Sequence, residues 1–192
     1  MQQYEVGSEN VADIVAEYLE YAIQHILCTR MVYPKSSFME VHKFSMSLEV
    51  LKDPHLKVYV DRNIKKARDL LASGHLQRCV LVIAKISTGE VVERWQFSMD
   101  DSNSGMVTDL PNLHNKITQS LKQVGVCFLP PLDADCSFKI LLYTDKSAKS
   151  LGESLTNIHP HLILHGSGDS LEMRSVDFPR WRLHTAVSYF SP

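Results

Sequence analysis

Gly89-Glu90-Val91-Val92-Glu93-Arg94-Trp95-Gln96-Phe97 opens on a turn residue and settles at once into a period of two. Val91, Trp95, Phe97 and Met99 fall on one side of an extended chain, and Val92, Arg94, Gln96 and Ser98 on the other. The stretch therefore predicts a strand with one strongly apolar face. Just upstream, residues 78–86 are continuously apolar and β-branched, the pattern of a central strand buried on both faces. Ser87-Thr88-Gly89-Glu90 lies between the two and makes them a hairpin. Residues 136–143 alternate again, with Cys136, Phe138, Ile140 and Leu142 to one side and Lys139 and Leu141 to the other.

Helical patterns flank this strand core. Val11, Ile14, Val15, Tyr18, Leu19, Ala22, Ile23, Ile26 and Leu27 make a stripe broad enough for a helix through the middle of a domain. Ser8 or Asn10 is positioned to cap it, and Tyr33-Pro34 ends it near Thr29. A second helix is punctuated by Asp53 as cap, Pro54 in the first turn and Gly74 as stop. A third is expected over about 111–124, capped by Asp109, with Leu113, Ile117, Leu121 and Val124 inward. Phe44, Met46, Leu48 and Val50 alternate like a strand, and residues 126–129 read as a short strand broken by Pro130-Pro131.

Beyond Thr144 periodicity weakens. One hairpin is expected there, 161–165 against 171–176, joined through Gly166-Ser167-Gly168-Asp169, before a final strand over 181–190. The fold class is α+β: three helices packed on one face of a mainly antiparallel sheet. One domain over 1–192 is expected, with a core over 10–143 and a distinct C-terminal segment over 144–192.

Bulk properties exclude several classes. The chain has 192 residues, a net charge of −2 and 22% charged residues, which gives no reason to expect a nucleic-acid surface. The densest basic knot, from Arg62 to Arg68, sits beside Asp61 and Asp69 as a solvated helix face does. Cys28, Cys79, Cys127 and Cys136 show no metal-ligand spacing and read as buried free thiols of a reducing compartment. Glu5, Glu9, Asp13 and Glu17 contradict a secretory leader, and the apolar run over 79–84 is too short to cross a bilayer. A cytosolic or nuclear protein is expected.

Catalytic motifs are missing. No GxSxG, Walker loop, dinucleotide fingerprint or zinc-protease signature is found. His159, His161 and His165 could offer imidazoles to zinc, but no carboxylate or cysteine falls near enough to finish a site. Exposed strand and turn histidines are the default, so no metal, no cofactor and no enzymatic activity are expected. Asp133 and Asp135 flank a proline turn and need no catalytic role.

Two strings carry a resemblance: Glu93-Arg94-Trp95-Gln96-Phe97 and Tyr143-Thr144-Asp145-Lys146. With Val15-Ala16-Glu17, Ile26-Leu27, Arg30, Tyr33-Pro34, Lys122-Gln123, Phe128-Leu129-Pro130 and Arg174-Ser175, they resemble the HORMA domains of the spindle assembly checkpoint. The match is good over about 10–146 and patchy beyond. Translesion-polymerase HORMA adaptors share the Tyr-Pro but neither string, which makes a DNA-repair or meiotic-axis adaptor the alternative.

The resemblance implies a switch. Residues 144–192 would be a safety belt, including Trp181, Leu183, Val187 and Tyr189. It would move from one sheet edge to the other and trap a partner peptide against Cys136, Phe138, Ile140, Leu142 and Tyr143. Arg30, Glu93, Lys122, Gln123 and Phe128 match a family interface through which open and closed copies pair. Four of these have simpler readings too: Arg30 with Glu93 as a surface ion pair, Lys122 as a solvated helix residue. Phe128 could equally be core. Lys stands at 122 where the family has Arg, and it lacks the planar five-donor fork. Implied partners are a coiled-coil kinetochore receptor (mitotic arrest deficient protein one) and the anaphase-promoting-complex coactivator. A comet-type adaptor and a remodelling AAA ATPase are further implied, with sites of action at nucleus, kinetochore and cytoplasm.

Overall fold

The computed structural model describes residues 8–101, 110–145 and 168–190. Among these, three helices cover one face of an antiparallel sheet, and a separate two-stranded hairpin packs against the helices. The order across the main sheet is β5 (Cys136–Thr144), β3 (Leu76–Lys85), β4 (Val91–Asp101), β8 (Trp181–Tyr189) and β6 (Asp169–Glu172), with β7 (Val176–Asp177) also paired to β8.

Helix α1, Ser8–Thr29, is the axis of the molecule. Its side chains from Val15 to Leu27 share one core with Leu81, Ile83, Trp95 and Phe97 of the sheet and with Leu113, Ile117 and Leu121 of α3. α2, Pro54–Ala72, starts where the sequence says it should, since the Asp53 carboxylate accepts from the His55 and Leu56 amides at 2.8 and 3.0 Å. It stops at Gly74, whose φ of 76° lets the His75 amide reach back to the Leu70 carbonyl at 2.8 Å. α3, Leu110–Gly125, follows, with Leu113, Ile117, Leu121 and Val124 buried; the expected Asp109 cap and the Ser8 and Asn10 caps fall outside the described side chains.

β3, Leu76–Lys85, is central, flanked by β5 and β4, and Cys79 to Ile83 are buried without interruption. β4, Val91–Asp101, pairs with it as the expected hairpin across Gly89 at φ 71°. It runs on through Asp100 to Asp101. A register shift between Ile83 and Ala84 alters the facing at its start. Val91 consequently joins Val80, Val82 and Leu141 on the outer face instead of sharing the helix-side face with Trp95. β5, Cys136–Thr144, forms one edge of the sheet.

Three expectations give way. Phe44 belongs to no strand: β1, Phe38–Lys43, and β2, Met46–Leu51, are joined by a two-residue turn at Phe44 (φ 50°) and Ser45 (φ 56°). Burial holds this strained turn, with the Phe44 ring 5.8 Å from Tyr21 and 5.9 Å from His114. Residues 126–129 make no strand. Pro130 and Pro131 have no amide to donate, and the segment is held instead by the Arg30 guanidinium on the Pro130 carbonyl. Residues 171–176 are not one strand either: β6, Asp169–Glu172, and β7, Val176–Asp177, pair with successive stretches of β8, Trp181–Tyr189. The partner expected for them, 161–165, lies outside the described residues.

Of the four thiols, Cys79 and Cys136 are buried and Cys28 and Cys127 half-buried, all unpaired. Burial pushes the Cys79 thiol up to about 12, which makes it an inert core group.

Candidate functional site

An antiparallel edge strand sends the main-chain groups of every second residue outward. In β5 the phase is fixed by one bond: the Ile140 amide donates to the hydroxyl of Tyr59 on α2 at 3.1 Å. Phe138, Ile140 and Leu142 therefore direct their main chain away from β3, and no strand among the described residues meets them. The side chains of Cys136, Phe138 and Ile140 point to the helix side and are buried, with Leu142 half-buried. Phe138 is set edge-on between Tyr59, at 5.5 Å, and Tyr33, at 6.0 Å. Tyr143 faces the other way, with Leu141. At the start of the strand a pocket of about 380 Å³ opens between Val82, Ala84, Lys85, Ile86, Ser137 and Lys139.

The opposite side of the sheet is filled by the chain's own tail. β8 lies along β4 from Glu93↔Tyr189 to Asp101↔Trp181. Trp181, Leu183 and Val187 are buried in the main core, while Tyr189 is half-buried at the rim. Thr185 of β8 is buried as well and sits 3.5 Å from the Tyr18 hydroxyl, which is also 2.8 Å from Ser120 Oγ. Burial among these groups pushes the Tyr18 phenol above its ordinary value of 10.0. Asp177 of β7 ties the tail to α3, accepting from Arg182 at 2.6 Å and lying 3.5 Å from Lys116. The Arg182 hydrogen bond holds its carboxyl below the usual range.

The five residues matched to a pairing interface divide into two kinds. Arg30 and Glu93 form an internal ion pair, not a surface one: Arg30 Nε donates to Glu93 at 2.8 Å, and Glu93 is 2% exposed. Glu93 also accepts from the Trp95 indole at 3.0 Å, so its charge is fully partnered. Gln123 is half-buried and also engaged within the chain, its side-chain carbonyl accepting from the Arg174 amide at 3.0 Å. Lys122 is exposed on α3, and Phe128 is 98% exposed, which rules out the core position open to it from sequence. Met31 and Val126 are exposed as well, and the Val126 amide donates to the Lys122 carbonyl at 3.1 Å.

Sequence reasoning overlooked Tyr59. It stands one position before Val60 of the α2 stripe, and only its hydroxyl bond to β5 reveals a role. The three tail histidines lie outside the described residues; among those described, no group of three His, Cys, Asp or Glu could hold a metal. No described helix is long and apolar enough to cross a membrane.

Among the described residues, β5 has no strand on its outer side, and the tail is docked on the far side of the sheet. The chain belongs to the HORMA-domain family, whose model matches residues 11–162. Within it, the chain is 31% identical to the human mitotic spindle assembly checkpoint protein MAD2A over 189 residues, covering 94% of this chain and 91% of that one. A chain in the crystal structure of the mitotic checkpoint complex superposes with a TM-score of 0.84 at 26% identity, covering 94% of this chain and 98% of that one. The fold is also that of C. elegans HTP-2 bound to a HIM-3 closure motif, with a TM-score of 0.79 at 15% identity over 96% and 92%.

Proposed function

We propose that this protein is a spindle assembly checkpoint signalling protein. It works by adding a partner's peptide to the outer edge of β5 and trapping it beneath residues 144–192. The observation that carries the reading is the asymmetry of the sheet: β8 occupies β4, while among the described residues the outer side of β5 is met by a tyrosine hydroxyl on the Ile140 amide and by no strand. Peptide addition to such an edge supplies main-chain hydrogen bonds, and alternate side chains enter pockets. The chain leaves β5 at one edge and returns in β6 at the other, so a peptide on β5 would be spanned by the link. In this reading the arrangement with β8 on β4 corresponds to the closed state. An open state, with the tail strands on β5 itself, would compete for the same edge, and the two packings would differ by only a few kcal/mol.

The peptides would come from the anaphase-promoting-complex coactivator and from the coiled-coil kinetochore receptor, which places the action at kinetochore, nucleus and cytoplasm. The exposed Lys122–Val126–Phe128 surface would meet a second copy or a comet-type adaptor. A remodelling ATPase would reopen the belt. Arg30 and Glu93 would serve that surface indirectly, by fixing the segment that carries Phe128.

Calorimetric titration of the full chain with a coactivator peptide, with anion exchange before and after, tests this. Tight, slowly developing binding with a shifted elution peak is expected, and so is slowed amide exchange at Phe138 and Leu142. Fast, weak binding that leaves those amides unprotected would overturn the clamp. Preference for a translesion-polymerase peptide would reassign the client.

A further inference from the structure

Three side chains on the outer face of the sheet stand apart from the ion pairs of the protein. Arg78 of β3 and Arg94 of β4 converge on Tyr143 of β5. Their guanidinium carbons lie 4.9 and 5.7 Å from the ring centroid, and Arg94 Nη2 donates to the Tyr143 hydroxyl at 2.8 Å. Arg30, Lys57, Arg68, Lys85, Lys116 and Arg182 all have carboxylate partners, whereas Arg78 and Arg94 have none among the described residues. Arg94 Nε is buried with no acceptor among the described residues.

That arrangement is costly as it stands. The cluster rests on Val80, Val82, Val91 and Leu141, a low-dielectric floor on which two like charges repel and an unmet donor loses its hydration. A tyrosine ring offers each cation a face but neutralises neither. The donors, however, are arranged for an anion. Tyr143 accepts from Arg94 and so keeps its own proton to give. Arg94 Nε is unused, and Arg78 carries a planar fork suited to two oxygens.

The position supplies the ligand. A strand added along β5 sends every second side chain to the outer face, past Lys139, Leu141 and Tyr143. We propose that Arg78, Tyr143 and Arg94 form a subsite for one acidic side chain, carboxylate or phosphate, of the peptide that lies on β5. The proposal rests on β5 receiving a peptide and adds a rule for which peptides it accepts.

The probe is a set of coactivator peptides in which each position in turn is Ala, Lys, Glu or phosphoserine, titrated against the full chain. At one outer-facing position, Glu or phosphoserine is expected to bind about tenfold more tightly than Ala, the scale of a charge-assisted bond, and Lys more weakly. The Glu and phosphoserine arms separate the two sources of negative charge. Arg78→Gln and Arg94→Gln should each shrink the acidic-over-Ala ratio, and Arg78→Glu should turn the preference towards Lys. A ratio is insensitive to partial unfolding, which weakens all peptides alike. Binding without an acidic preference, or a preference that survives both Gln variants, would overturn the subsite and leave the clamp standing. Retention of no peptide in the set would remove the clamp and the subsite with it.

Discussion

The two long sides of this sheet answer the same problem in opposite ways. Beside β4, main-chain groups are met by β8 along its whole length, and Trp181, Leu183 and Val187 go into the core. At β5, the outward amide of Ile140 is met by a single hydroxyl from a helix, and no strand among the described residues covers it. An exposed edge is an aggregation hazard unless something blunts it. A strand does so permanently and cooperatively; a side chain does so with one bond worth about 1 kcal/mol, which an entering peptide can replace. The difference teaches where exchange is cheap.

The largest expected effect breaks the anchored side. Glu93 pairs with Tyr189 in the β4–β8 ladder while its carboxylate holds Arg30 and Trp95. Arg30→Met leaves a buried carboxylate with no counter-charge and should cost about 3–5 kcal/mol in urea denaturation. Replacing both residues with apolar ones should recover most of that loss. Next comes Leu183→Ala, which empties a fully buried site on β8 and should cost about 2–5 kcal/mol. If β8 is held by main-chain pairing alone, the loss will be well under 1 kcal/mol and the contrast between the edges collapses.

Much of this was legible in the sequence, because burial and period go together. β3, β4, β5 and β8 lie within a few residues of their expected places, since each has a face that must be buried. What failed failed locally. Phe44 looked like a strand residue because nothing in the chain announces that packing against Tyr21 and His114 will hold it at positive φ. The shift beside Ala84 moved Val91 to the other face, and no composition marks a bulge. Phe128 was undecidable as a large apolar residue beside two prolines, since exposure is a property of the whole surface. Tyr59 and the Arg78–Tyr143–Arg94 cluster are contacts across 81, 65 and 49 positions of chain, invisible to any window.

A smaller effect sharpens the contrast at β5. Tyr59→Phe keeps the ring against Phe138 and removes only the hydroxyl from Ile140. It should lower stability by about 1 kcal/mol and, under the clamp reading, speed peptide binding, because no competitor remains on that amide. An unchanged association rate would mean that the hydroxyl plays no part in entry.

The smallest effect lies on the tail side and is read by acid. Arg182, then Lys116, favour the charged form of Asp177, so its folded-state carboxyl titrates below the ordinary 3.8. A depressed acid contributes stability that is fully present above its unfolded value and is lost as pH falls through the folded one. Urea midpoints should therefore drop below about pH 4, where the unfolded chain takes up the proton first. Asp177→Asn should be less stable than the parent at pH 6, and its curve should fall less steeply in acid. Because the Asp177 carboxylate adds a side-chain tie from β7 to Arg182 of β8 and Lys116 of α3 beside the strand pairing, slowed exchange at β8 should weaken in the same window while β3 stays protected. Equal weakening of both strands would mean that the tail unfolds only with the core.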